Sequence, residues 1–315
     1  MVDLSTTASF KLPILVSKRS KSGSRLGTQS HAPRKRFGQN FLTDQGVITA
    51  IARAISPSKN DNVVEIGPGQ GALTSALFDS GCAIKAIEID RDLQSQLRVM
   101  FFNRDFMLFN SDALRFDFSE LSETSNDLRI VGNLPYNIST PLIFKLLSQL
   151  HVIKDMHFML QKEVVDRIAA RPGNKNWGRI SVMTQADCEV EHLFDVPPEA
   201  FFPRPKVQSA IVRLTPRAKQ FRPQCSRVDL GRLVQHAFSQ RRKTLRNNLK
   251  GVIEDATIEG LGIDPACRAE TLSLDQLFDL SEVLPPTLSD RPVRRYTPHY
   301  RPKRNEMSHD NLRSG

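Results

Sequence analysis

The chain has 315 residues, 39% of them hydrophobic, and a net charge of +10. No apolar run approaches the roughly 20 residues needed to span a bilayer, which argues against a helical membrane protein. The four cysteines (Cys82, Cys188, Cys225, Cys267) are scattered without a CxxC pair, which argues against a zinc site and a disulfide framework and suits a reducing, cytoplasmic setting.

The charge is unevenly placed. Residues 37–202 carry 15 Lys/Arg against 21 Asp/Glu, whereas residues 203–250 carry 13 against 1. A net +12 within 48 residues exceeds an ordinary solvated charge run and suits a polyanionic partner. At the N-terminus Leu12–Val16 is too short for a secretory apolar region and contains Pro13. Residues 1–33, rich in Ser and basic residues, read as a disordered basic extension, with a transit peptide as the alternative. Residues 286–315, rich in Pro and Arg, read as a disordered basic tail.

Between them, residues 47–56 show a helical apolar period that stops before Pro57. Residues 61–66 (DNVVEI) read as a short buried strand running into a glycine turn, and 72–78 as a helix. Strands follow at 83–89, 106–109, 128–131 and 156–160, with helices at 93–100 and at 141–150, the latter starting on Pro141. Residues 208–214 alternate as an edge-type strand, and 218–285 lack strand signals and look helical. Strands alternating with helices predict an α/β fold with a doubly wound, mostly parallel sheet.

The glycine turn is Glu65-Ile66-Gly67-Pro68-Gly69-Gln70-Gly71. Joining a strand to a helix, it lies where open α/β sheets bind nucleotides, and its glycines let backbone approach a ligand closely. Its GxGxG spacing differs from the GxGxxG dinucleotide fingerprint, and no GK[ST] follows. A compact ligand such as S-adenosylmethionine is favoured over a pyrophosphate. Glu88, 21 residues after Gly67, ends the next strand and can accept hydrogen bonds from ribose hydroxyls. Asp112, after the third strand, is placed to accept from an adenine amino group. Either acid alone reads equally well as a surface carboxylate or a helix cap; the pair at successive strand ends reads as a site.

The fourth strand runs into Gly132-Asn133-Leu134-Pro135-Tyr136-Asn137. An exocyclic adenine amine is a poor nucleophile because its lone pair is delocalised into the ring. Acceptors that hold both N–H groups pyramidalise the nitrogen, and the Asn133 side-chain oxygen and the Leu134 carbonyl are candidates. Pro135 stiffens the turn, and Tyr136 offers a face on which a flipped base can stack.

Several stretches together resemble the KsgA family of ribosomal RNA adenine dimethyltransferases: RKRFGQNFL (34–42), VEIGPGQGALT (64–74), IEIDRDL (87–93), GNLPYNISTP (132–141), FMLQKEV (158–164), VPPEAFFPRPKVQSAIVRL (196–214) and FSQRRKTLRNNLKG (238–251). The resemblance implies a Rossmann-like class I methyltransferase domain over 34–217 and a small helical C-terminal domain over 218–285 that positions rRNA. It implies S-adenosylmethionine-dependent dimethylation of two adjacent adenosines in the 3′-terminal hairpin of small-subunit (16S) rRNA. The expected partner is a small-subunit assembly intermediate, met by a monomer in the cytoplasm without membrane or metal. Family cofactor positions fall on Asn40, Leu42, Gly67, Glu88, Asp112 and Asn133; the glycine turn adds Gly69. The catalytic set is Asn133, Leu134, Pro135, Tyr136 and Phe201.

Phe201 matches the family aromatic that packs on the target base, and Pro203 and Pro205 favour an exposed loop around it. Phe202 departs from the family pattern, where a small or polar residue is more usual, so which ring stacks stays open. Gln240–Arg246 places cations on a helix and its flank, suited to phosphate contacts. Three alternatives compete. A large-subunit rRNA methyltransferase is disfavoured by FSQRRKTLRNNLKG. A non-catalytic RNA-binding descendant is disfavoured by the intact Asn133–Tyr136 turn and Glu88. A dinucleotide oxidoreductase is disfavoured by the glycine spacing.

Overall fold

The computed structural model describes residues 40–218, 222 and 224–285. The expectations for the N-terminal extension and the C-terminal tail lie outside the described residues. In chain order the elements are β1 (Phe41–Leu42), α1 (Gln45–Ile55), β2 (Asn62–Ile66), α2 (Ala72–Leu77), β3 (Ile84–Glu88), α3 (Arg91–Met100), β4 (Phe106–Asn110) and β5 (Leu128–Asn133). Then come α4 (Ser139–Leu147), β6 (Ile153–Gln161), α5 (Lys162–Ile168), α6 (Arg179–Asp187), β7 (Cys188–Val196), β8 (Phe201–Phe202) and β9 (Ser209–Pro216). Helices α7 (Arg227–Ala237), α8 (Leu245–Asn248), α9 (Asp255–Gly260) and α10 (Leu274–Glu282) complete the described chain.

The main sheet has seven strands in the order β4-β3-β2-β5-β6-β9-β7. Pairings from β4 through β6 are parallel, and β9 is antiparallel to both β6 and β7. The order reverses between β2 and β5, so a crevice opens beyond the carboxyl ends of these strands, where such sheets bind ligands. The parallel strands are near-continuous apolar runs because helices cover both faces; Val63, Val64, Ile130 and Val131 are fully buried.

Local chemistry sets the element ends. Helix α1 starts where the Asp44 side chain accepts from the Val47 amide at 2.9 Å, and it stops at Ser56, in the left-handed region before Pro57. Strand β5 is anchored at its start by Arg129, whose guanidinium donates to Asp155 and Asp61 and to the Ile55 carbonyl at 2.7 Å. Burial raises the Asp155 carboxyl, but the neighbouring His157 and Arg129 outweigh it and hold it below the ordinary range. Each charge there is matched, as buried charges must be.

Two sequence expectations are corrected, and one strand is added. The helix expected to start on Pro141 starts at Ser139, with Pro141 still in the first turn, where its missing N–H has no intrahelical partner anyway. The strand at Ser209–Pro216 is interior, because β7 pairs along its outer side. Strand β7 itself was not foreseen: its CEVEHLFDV sequence is charged, as suits a sheet edge, and a register shift between His192 and Phe194 blurs its alternation. Residues 224–285 are helical as expected, and their apolar core takes in Trp177, Val182 and Ala186 from the segment leading through α6. The Trp177 indole N–H donates to the Leu272 carbonyl at 3.1 Å.

Candidate active site

A cavity of about 230 Å3 opens at the reversal of strand order. Asn40, Leu42, Gly67, Gly69, Glu88, Asp112, Asn133, Leu134, Pro135 and Tyr136 all line it. The sequence-predicted residues therefore converge, with one exception.

The glycine turn forms the near wall. Gly67 (φ 67°) and Gly69 (φ 58°) take the left-handed conformation, which L side chains adopt only with strain. A Cβ on Gly67 would enter open space at the cavity wall, and one on Gly69 would meet the Phe41 ring at 3.2 Å. Backbone is thus laid bare as a cradle that a side chain would fill.

Glu88 closes β3, only 6% exposed. Its Oε1 accepts from the amides of Ile89 at 2.9 Å and Asp90 at 2.8 Å. Burial pushes its carboxyl up, against the lowering effect of the Asp90, Gly69 and Ile89 amides. Asp112 follows β4; its Oδ1 accepts from the Leu114 amide at 3.0 Å.

Glu65, on β2, was not singled out from the sequence, yet it lines the cavity and is 2% exposed. Its Oε2 accepts from the Thr74 hydroxyl at 2.6 Å. Burial, with the charge of Glu88, pushes its carboxyl up to about 7, although the Thr74 hydrogen bond acts in the opposite sense. The available signal was a carboxylate inside an otherwise apolar strand, a placement that needs a partner. Two such acids beside one cavity favour a cationic ligand.

At the end of β5 the chain passes very close to β2. A Cβ on Gly132 would lie 2.5 Å from the Ile66 carbonyl oxygen, so only glycine fits. Asn133 Nδ2 donates to the Asn40 carbonyl at 3.1 Å. That pairing makes the other amide atom, Oδ1, the acceptor. The Leu134 amide donates to the Met159 carbonyl at 3.2 Å, which fixes the plane of the turn. The Tyr136 hydroxyl lies 3.0 Å from Ser209 Oγ, and burial raises its pKa. Nothing in the sequence pointed to Ser209, which belongs to β9, 73 residues on.

Phe201 is the exception. It pairs with Leu42 in a two-stranded antiparallel ribbon, is 4% exposed, and packs in the core with Ile48, Leu73 and Val196. The expected exposed loop is replaced by a strand whose pairing turns this ring inward; Phe202, next to it, is the exposed one. The cations of 240–246 are also differently placed: residues 240–243 form the turn between α7 and α8, and only Leu245–Asn248 is helical.

Sheet, crevice, glycine cradle, strand-end acids and Asn-Leu-Pro-Tyr turn together define a Rossmann-like methyltransferase. The family model for ribosomal RNA adenine dimethylase matches residues 30–285. Over 259 residues the chain is 58% identical to ribosomal RNA small subunit methyltransferase A of Saccharophagus degradans, covering 82% of this chain and 97% of that protein. It is 55% identical to the protein of the same name from Chromohalobacter salexigens, covering 80% of this chain and 91% of that one. Among solved structures, a dimethyladenosine transferase from Plasmodium falciparum superposes with a TM-score of 0.64 at 26% identity, covering 76% of this chain and 95% of that one. The 23S rRNA methyltransferase ErmE superposes with a TM-score of 0.62 at 25% identity, covering 77% and 98%. The chain belongs to the ribosomal RNA adenine dimethylase family, and its activity is S-adenosylmethionine-dependent dimethylation of adenine in rRNA.

Proposed function

We propose that this enzyme dimethylates two adjacent adenosines in the 3′-terminal hairpin of small-subunit rRNA, acting as a cytoplasmic monomer on an assembly intermediate. The observation that carries the site reading is the orientation of Asn133. Because Nδ2 is spent on the Asn40 carbonyl, Oδ1 is the atom offered to an amine. Asn133 Oδ1 and the Leu134 carbonyl accept the two N–H groups of the target adenine, so its nitrogen lone pair turns out of the ring plane. Tyr136 stacks on the base, held in place by Ser209. When bound, S-adenosylmethionine supplies an electrophilic methyl on sulfur. Gly67 and Gly69 admit it closely, Glu88 accepts from its ribose and Asp112 from its adenine. Asn40 and Leu42 close the same wall. Residues 34–217 carry this chemistry, and residues 218–285, with helices α7 to α10, position the RNA.

Small-subunit specificity is supported by the identity of 58% to a small-subunit enzyme against 25% to a large-subunit one. The test is to offer labelled S-adenosylmethionine with unmethylated small or large subunits. Label entering small subunits alone supports the reading, and label in large subunits overturns it.

A further inference from the structure

Phe202 is 65% exposed, although it is a large apolar ring on a paired strand. In the ribbon of β1 and β8, Phe202 stands opposite Phe41, and Phe201 opposite Leu42. Directly opposed residues of an antiparallel pair project on the same face. Phe41 lines the cavity and its ring lies against Gly69. Phe202 therefore shares the face of Phe41, beside the cavity and outside its lining, whereas Phe201, opposite Leu42, packs in the core.

From Phe202 the chain runs through residues 203–208 to Ser209, the residue that holds the Tyr136 hydroxyl. This link exposes Lys206 and Val207, together with Arg204, which is paired with Glu199. It joins the ribbon to the Tyr136 side of the cavity, and it presents one aromatic ring beside cations. A singly exposed apolar residue is ordinary on a protein surface. A ring that shares the face of a cavity-lining partner, in a link that ends at the residue holding Tyr136, with the Lys206 cation alongside, is matched to unpaired nucleic acid. A base can stack on such a ring while its phosphate meets the cation.

We propose that Phe202 is the stacking platform for the unpaired RNA base that flanks the target adenine. Tyr136 serves the target itself, and Phe201, opposite Leu42, is buried. This rests on the rRNA-methyltransferase reading of the cavity. Phe202 then acts on RNA binding and register, with no part in moving the methyl group.

The test uses Phe202→Ala and Phe202→Trp in the full chain. Loss of one base–aromatic stack weakens binding roughly 5- to 150-fold. Phe202→Ala is accordingly expected to raise KM for unmethylated small subunits by a factor in that range, with kcat and S-adenosylmethionine affinity little changed. Phe202→Trp restores KM. The chain's single tryptophan, Trp177, is buried, so a new exposed indole reports separately. Its emission is expected to fall when a single-stranded adenosine octanucleotide is added, while the emission of the unsubstituted protein holds. An unchanged KM in Phe202→Ala, or an indole indifferent to RNA, overturns the proposal. Absence of transfer to small subunits by the unsubstituted enzyme would instead overturn the substrate reading, and the indole titration would still decide the stacking.

Discussion

The side-chain nitrogen of Asn133 donates to the main-chain carbonyl of Asn40, 3.1 Å away and 93 residues earlier in the chain. One bond thus ties the end of β5 to the segment entering β1 and selects which amide atom faces the base. Replacement by Ala removes an acceptor whose contribution is largest in the transition state. Asn133→Ala is expected to lower the single-turnover rate by roughly 100- to 1000-fold, the scale of one preorganised hydrogen bond at a reacting centre, with RNA affinity little changed. A rate equal to that of the unsubstituted enzyme would remove Asn133 from the chemistry.

Glu88 uses Oε1 to hold the Ile89 and Asp90 amides. Its second oxygen is the proposed acceptor for the cofactor ribose. Glu88→Ala is expected to weaken S-adenosylmethionine binding by about 1.5–3 kcal/mol, the usual worth of a hydrogen bond to a charged group. Calorimetry on a variant with an unchanged circular dichroism spectrum measures it. Unaltered affinity would exclude Glu88 from the cofactor site.

Glu65 titrates at about 7 in the folded chain, against an ordinary value of 4.5. A raised carboxyl favours the protonated folded state, so its contribution to stability is full below pH 4.5 and is lost as pH rises through 7. Glu65→Gln cannot titrate. The stability of the parent relative to this variant, from urea unfolding, is expected to decline by on the order of 3 kcal/mol across that window. A cationic ligand favours the ionised carboxyl, so saturating S-adenosylmethionine should flatten the decline. A difference between the two proteins that is independent of pH would contradict the assignment.

In the basic segment, Arg241 pairs with Glu270 at 3.1 Å and Arg246 with Asp255 at 2.5 Å. Arg242 and Lys243 lie exposed on the turn before α8. All four replaced by Gln should weaken RNA binding and flatten its salt dependence, by about 0.7–0.9 in log–log slope for each lost phosphate contact. Arg242→Gln with Lys243→Gln should account for most of that change, because the other two cations are already partly neutralised. S-adenosylmethionine affinity should hold. Binding across a salt series decides, and a slope equal to that of the parent would place the phosphate contacts elsewhere.

The parts legible in the sequence are those with a local cause. The buried parallel strands read as apolar runs, the helix before Pro57 ended where the proline required, and Gly67, Glu88 and Asn133 stood at strand ends, where a doubly wound sheet gathers ligands. What escaped was set by pairing across long separations. Residues 201–202 became a strand only because residues 41–42 lie opposite, and that pairing turned Phe201 inward against the loop signal of Pro203 and Pro205. Strand β9 became interior because a charged strand, β7, covers it. Ser209 reached Tyr136, and Arg241 its acid, through folding alone.

The methylated product identifies the enzyme most directly. The direct measurement is to incubate the enzyme with labelled S-adenosylmethionine and unmethylated small subunits, then digest the rRNA and map the labelled nucleosides by mass spectrometry. N6,N6-dimethyladenosine is expected at two adjacent positions in the 3′-terminal hairpin. Label in any other base, or in adenosines outside that hairpin, would contradict it.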